Sequence, residues 1–188
     1  MRRWIPLLLL APLLLVLPSL GRLFDDDAQP LPVAAAAPPQ RAELGWVERF
    51  PTSGPALVFE VRSLAVTRKG WEADVALRNQ TNVNWELRES LRSFGVMLFA
   101  RAGTEDLQRR RDAGDLPGLR RATAYRPAPP IIIEAGSTWA GRISAPGSLA
   151  AGRWARLTFG TLQALDAPPE GVPDRFDWIT DHSYRLRD

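Results

Sequence analysis

The 188-residue chain has no cysteine, one histidine and, among its 24 basic residues, a single lysine, Lys69. Without cysteine there is no disulfide framework, no thiolate metal centre, no thiol nucleophile and no lipid-modified cysteine anchor. One histidine cannot supply the donors that zinc requires. Asp174, Asp177 and Asp181 lack the Asp/Asn-Gly density of calcium loops, and Asp25–Asp27 reads as a solvated charge run, so no metal is expected. A Ser/His/Asp hydrolase brings its groups together from separate segments, and no Gly-x-Ser-x-Gly elbow is present. His182 has Asp181 and Ser183 only as chain neighbours, which on a strand point to opposite faces. The expectation is a surface histidine on a protein that is not an enzyme and uses no cofactor.

What the chain does have begins at its start. Arg2 and Arg3 precede an uncharged apolar run, Trp4 to Leu20, which ends in the small-x-small triplet Ser19-Leu20-Gly21. This is the layout of a cleaved export signal, and the run is also just long enough for a membrane-spanning anchor. Pro6, Pro12 and Pro18 each remove a helix hydrogen bond and tilt the reading toward cleavage. Either way Arg2 and Arg3 stay on the cytoplasmic side and the remainder is extracytoplasmic: secreted, periplasmic, or anchored with its domain outside. Membrane contact is then expected only through residues 4–20, and only if they are retained. Removing residues 1–21 takes away Arg2 and Arg3 and no acid, so the formal charge of +3 falls to +1. A nucleic-acid surface needs clustered positive charge, and this balance argues against one.

Residues 22–55 read as a linker rich in proline and alanine, with the Ala34–Ala37 run and Pro30, Pro32, Pro38 and Pro39. From Ala56 the pattern becomes period two. Phe59 and Val61 alternate with polar neighbours, and a phase change at Ser63-Leu64 suggests a bulge. Trp71, Ala73, Val75 and Leu77 then form the clearest strand. Phe94 to Phe99 is apolar on both faces and reads as a strand buried on both sides. Residues 102–130 interrupt the alternation with a basic loop or short helix that starts at Thr104-Glu105-Asp106 and stops at Gly114. Further strands are expected at 131–133, 138–144, 153–162 and 176–186. About seven short strands with turn signals between them predict an all-β, antiparallel sandwich over residues 56–188.

The run Trp71–Asn79 with Gln80-Thr81, the strand ending at Phe99-Ala100-Arg101, the stretch Ala135–Ile143 and the run Trp154–Gly160 resemble exported bacterial immunoglobulin-like domains. The pattern over residues 56–165 is similar to the telokin-like extracellular domain family. It departs from that family in Ala135-Gly136, where Pro-Gly is usual, and in the basic excursion. The resemblance implies an immunoglobulin-like sandwich with an extracytoplasmic binding role and no catalytic residues.

Two sets of side chains are candidates for binding. Arg109, Arg110, Arg111, Arg120 and Arg121 make the excursion basic and suit anionic lipid, an envelope polymer or an acidic partner. The bland alternative is a solvated loop resting on the acidic stretch between Asp166 and Asp181. Trp46, Trp154 and Trp178 lie outside the clear inward rows, and a row of exposed rings would suit sugar stacking in a carbohydrate- or peptidoglycan-binding module. Asn79-Gln80-Thr81 matches a glycosylation acceptor but more simply closes a strand. The favoured expectation is an exported, non-enzymatic binding or accessory module of the cell envelope. A sugar-binding module and a hydrolase stand as the alternatives.

Overall fold

The computed structural model describes residues 34–87 and 93–188, so the expected signal or anchor over 1–21 lies outside the described residues. In chain order these residues form β1 (Gln40–Phe50), β2 (Leu57–Val66), β3 (Gly70–Asn79), β4 (Trp85–Glu86), β5 (Phe94–Phe99), α1 (Thr104–Ala113), β6 (Leu119–Arg121), β7 (Ala124–Arg126), β8 (Ile132–Ile133), β9 (Thr138–Pro146), β10 (Trp154–Ala164), β11 (Arg175–Ile179) and β12 (Tyr184–Arg185). No helix among them is long and apolar enough to cross a membrane.

The strands form two antiparallel sheets. The first runs β1-β2-β3-β9-β7; in the second, β6-β5-β10-β4-β8 is joined by β11 and β12, which pair with the other edge of β10. Alternation determines which side chains meet between them. Trp71, Ala73, Val75 and Leu77 of β3 are buried, while Glu72 and Asp74 between them face out. The phase change in β2 is a bulge between Val61 and Ser63, which returns Leu64 and Val66 to the inner face. The aromatic centre joins the sheets: Phe59 of β2 meets Phe159 of β10 edge-on and stacks on Trp178 of β11, and Trp139 of β9 meets Phe94 of β5. Such burial of large apolar side chains is the main stabilising contribution to a fold without disulfides. β5 is covered on both faces, as its sequence suggests, but its outer cover is α1. Phe99 packs there with Leu107 and Ile179.

Two expectations need correction. The stretch expected as a linker contains an eleven-residue strand, β1, that pairs with β2 along its length. Its alternation is masked because Gly45, at φ +59°, makes a bulge between Glu43 and Trp46, and because Glu48 occupies the inward row with Leu44, Trp46 and Phe50. Even before β1 the chain is held: the Ala37 N–H donates to the Leu149 carbonyl at 2.7 Å, and the Ala151 N–H to that of Ala35 at 2.8 Å. Trp178, expected outside the inward rows, is instead a buried residue of β11.

Asn79 ends β3 and is buried. Its amide donates to the carbonyls of Val83 (2.7 Å) and Ile133 (3.1 Å) and accepts from the backbone and hydroxyl of Thr81. The Thr81 hydroxyl in turn accepts the indole N–H of fully buried Trp85 at 3.1 Å. The Asn-Gln-Thr triplet is therefore the polar hinge between β3 and β4, and its amide is enclosed. Asn79→Ala would strand two carbonyls and a buried N–H, at a cost of roughly 2–4 kcal/mol. Urea unfolding followed by tryptophan fluorescence measures this, and a loss below about 0.5 kcal/mol would contradict the role.

Candidate functional site

The outer face of the second sheet is where the excursion and the C-terminal segment meet. Among the inward apolar residues of β10, Arg156 faces outward beneath α1 and is fully buried. Its guanidinium is met by backbone carbonyls. Nη1 donates to Thr180 (2.7 Å) and Asp181 (2.5 Å), and Nη2 to Ala102 (2.5 Å) and Gly103 (3.1 Å). The cation also lies 5.4 Å above the Phe99 ring. Burial pushes the guanidinium below its ordinary range, and nearby Asp181, Glu48 and Asp106 oppose that shift. One side chain thus ties the start of α1 to the turn between β11 and β12.

That turn carries His182. The Glu48 carboxylate, largely buried, accepts the Trp178 indole N–H at 3.2 Å and the His182 backbone N–H at 3.0 Å, and its Oε1 lies 2.9 Å from His182 Nδ1. Trp46 stacks on the imidazole at 5.6 Å. His182 is exposed, as expected of a surface histidine, yet it is engaged by a carboxylate from another strand, as a hydrolase would require. Among the described residues no hydroxyl bonds the ring, and Ser183 donates to the Ala102 carbonyl. The group is a latch between β1 and the turn.

α1 has acids in its first turn and arginines in its last, as the helix dipole favours, and Gly114 closes it. Buried Asp106 accepts from Arg109 and Arg110, and Arg110 also reaches Asp115 at 3.1 Å. Arg111 lies one turn after buried Leu107 on the same helix face, so it projects over the sheet. It pairs with no carboxylate among the described residues. Two hollows adjoin it, of about 470 and 380 Å³, both bordered by Arg111, Phe176, Asp177 and Ile179. Met97, Leu116 and Leu119 make the first largely apolar, while Glu48, Gln108 and Asp181 line the second. The arrangement is a groove with an apolar floor, the unpaired Arg111 bordering both hollows, and a far rim that carries Glu48, Arg49 and Asp181.

The other expected binding residues are dispersed. Arg120 and Arg121 are exposed on edge strand β6. Trp154 is half-buried against the cluster beneath α1, Trp178 is buried and Trp46 is half-buried, so these rings present no exposed row. Two structural residues were not anticipated. Arg156 had one signal, being the sole charge in the eleven residues of β10; Glu48 had one in Trp46 and Phe50 at the alternate positions of β1.

A larger hollow of about 830 Å³ lies on the outer face of the first sheet, and most of its charges, Arg126 apart, are paired with carboxylates or arginines. Asp74 accepts from Arg142 at 2.8 Å and from Ser63 at 2.9 Å, and Arg41 lies 3.5 Å away. Among the described residues no group of three or more acidic or histidine side chains is placed to hold a metal. No family model matches the chain, and neither a curated protein nor a solved structure matches it.

Two measurements test this construction. Arg156→Met should cost on the order of 3 kcal/mol, because several carbonyls lose a charged donor, and should raise amide exchange at 102–113 and 180–183 above that in β3. Uniform exchange across the domain would contradict the tie. The hydrogen bond from Arg142 holds the Asp74 carboxyl below its ordinary value of 3.8. Such a group stabilises the fold above its unfolded pKa and loses that contribution as pH falls through the folded one. The urea midpoints of the parent and Asp74→Asn should therefore differ at neutral pH and converge in acid; a constant gap would refute the linkage.

Proposed function

We propose that this chain is an exported, non-enzymatic binding module of the cell envelope, an immunoglobulin-like sandwich carried behind an N-terminal signal or anchor helix. Its ligand lies in the groove beneath α1. One observation carries this reading: Arg111 is an unpaired cation held over an apolar floor by a helix that is itself pinned through Arg156. Arg109 and Arg110 are spent on Asp106 and Asp115, whereas Arg111 makes no ion pair among the described residues and borders the groove. The groove suits an extended ligand with apolar groups and one anionic group, such as a segment of an envelope protein or polymer.

The sugar-binding alternative draws little support, since its rings are packed against neighbours. The hydrolase alternative has the Glu48–His182 pair in its favour, yet the groups around that pair are committed to holding the turn.

A photo-crosslinker at Gln108 in intact cells tests the groove. Arg111→Ala should lower the yield of envelope adducts at least fivefold, and Arg121→Ala should leave it unchanged. Equal losses in both variants would assign binding to the loop's overall charge, and adducts confined to cytosolic components would overturn the exported location.

A further inference from the structure

The two ends of the sandwich differ in charge, and the strand register shows which residues stand at each. Where β1 begins, Gln40 lies opposite Val66, Gly70 opposite Pro146, and Phe99 and Arg185 both opposite Trp154. The loops gathered at that end carry Arg68, Lys69, Arg101, Arg153, Arg185 and Arg187, all exposed. Arg185 reaches Asp188 at 3.3 Å; the other five make no ion pair among the described residues. The acids there are Glu105 and Asp188. At the far end the exposed acids Glu134, Asp166, Glu170 and Asp174 stand with the cations Arg49 and Arg175.

The basic end is also the one from which the N-terminal segment leaves. The backbone bonds of Ala35 and Ala37 to the 149–151 loop hold the chain there, and the Gln40 side chain accepts from the Tyr184 hydroxyl (3.3 Å) and the Arg187 N–H (3.1 Å). The thirteen residues between Leu20 and Ala34 span at most about 45 Å when fully extended. Whatever surface the apolar run engages therefore lies within reach of this end. The cations here are discrete, exposed and spread over several loops. That pattern suits a plane of anionic headgroups better than one shaped ligand.

We infer that the end bearing Arg68, Lys69, Arg101, Arg153 and Arg187 docks on an anionic bilayer, so that the acidic end points away from it. The contact adds to any made by residues 4–20 and is distinct from the groove. Attraction of this kind weakens with salt, because the charges are solvent-exposed.

The absence of cysteine allows single labels in the full chain. A fluorophore is placed on Ser148→Cys at the basic end, or on Ser53→Cys at the far end, which β2 separates by about 30 Å. Energy transfer is measured to a headgroup acceptor in phosphatidylcholine vesicles with or without phosphatidylglycerol. On anionic vesicles the 148 label should transfer several-fold more strongly than the 53 label. The contrast should shrink toward parity on phosphatidylcholine alone, in high salt, and in the combined Arg68→Glu, Lys69→Glu, Arg153→Glu variant. Salt titration of the parent keeps the test valid should that variant fail to fold. Equal transfer from both labels on anionic vesicles, or a contrast that persists unchanged on neutral ones, would overturn the inference. Neither result bears on the Arg111 crosslink.

Discussion

The buried guanidinium of Arg156 is the constraint on which the outer layer of this molecule depends. A charge taken from water is strongly unfavourable unless its surroundings replace the lost hydration. Here the replacement is backbone: carbonyls from the residues just before α1 and from the turn after β11. Both segments are short of regular pairing of their own, and the same cation satisfies them together. Phe99, Leu107 and Ile179 then close over the site as a small second core. Position of α1, burial of the cation and placement of the turn are one cooperative arrangement, and Arg111 inherits its place over the sheet from it. A lysine would keep the charge but not the planar fork that reaches carbonyls on two sides.

A second constraint closes the open side of the sandwich. β1 is the edge of the first sheet, while β11 and β12 lie at the edge of the second. Exposed edges invite pairing with other chains, and folds manage them with bulges, charges and cover. In this chain the bulge at Gly45 and the outward Arg41, Glu43 and Arg49 do part of that work. Side chains bridge the rest. Gln40 reaches Tyr184 and Arg187, Glu48 reaches Trp178 and His182, and Phe50 meets Phe176. A glutamate in the inward row of β1 makes sense only in this light, since its acceptors' worth of donors all come from the opposite edge.

The legibility of these features in the sequence follows from how local their causes are. β3 was readable because its alternation is unbroken, and α1 because acids at its start and Gly114 at its end are chain neighbours. β1 reads as linker because one glycine shifts its phase and one acid interrupts its apolar row. The paired sheets as a whole were readable, since period two and turn spacing are sums over many residues. The groove was not, because its walls come from β5, α1, β10 and β11. Arg156 could not be anticipated from its partners, because backbone carbonyls carry no residue signature. Glu48 and His182 are separated by 134 positions, and nothing in either neighbourhood points to the other.

The arginines show why position decides where composition cannot. By count they suggest a uniformly basic protein; by placement they divide into different physical roles. Arg41, Arg78 and Arg142 are spent on carboxylates of the first sheet, and Arg109 and Arg110 on those of the helix and its exit. Arg156 is consumed by the backbone. Exposed pairs of this kind contribute little stability, generally under about 1 kcal/mol, but they remove charge from the surface available to partners. Long-range attraction is therefore left to cations without such partners among the described residues, which include Arg111 in its groove, Arg120 and Arg121 on β6 and the group at the end where the chain arrives. A near-neutral domain can in this way present a localised cation, Arg111, to a ligand and a basic face to a surface, with the exposed acids Glu134, Asp166, Glu170 and Asp174 at the opposite end.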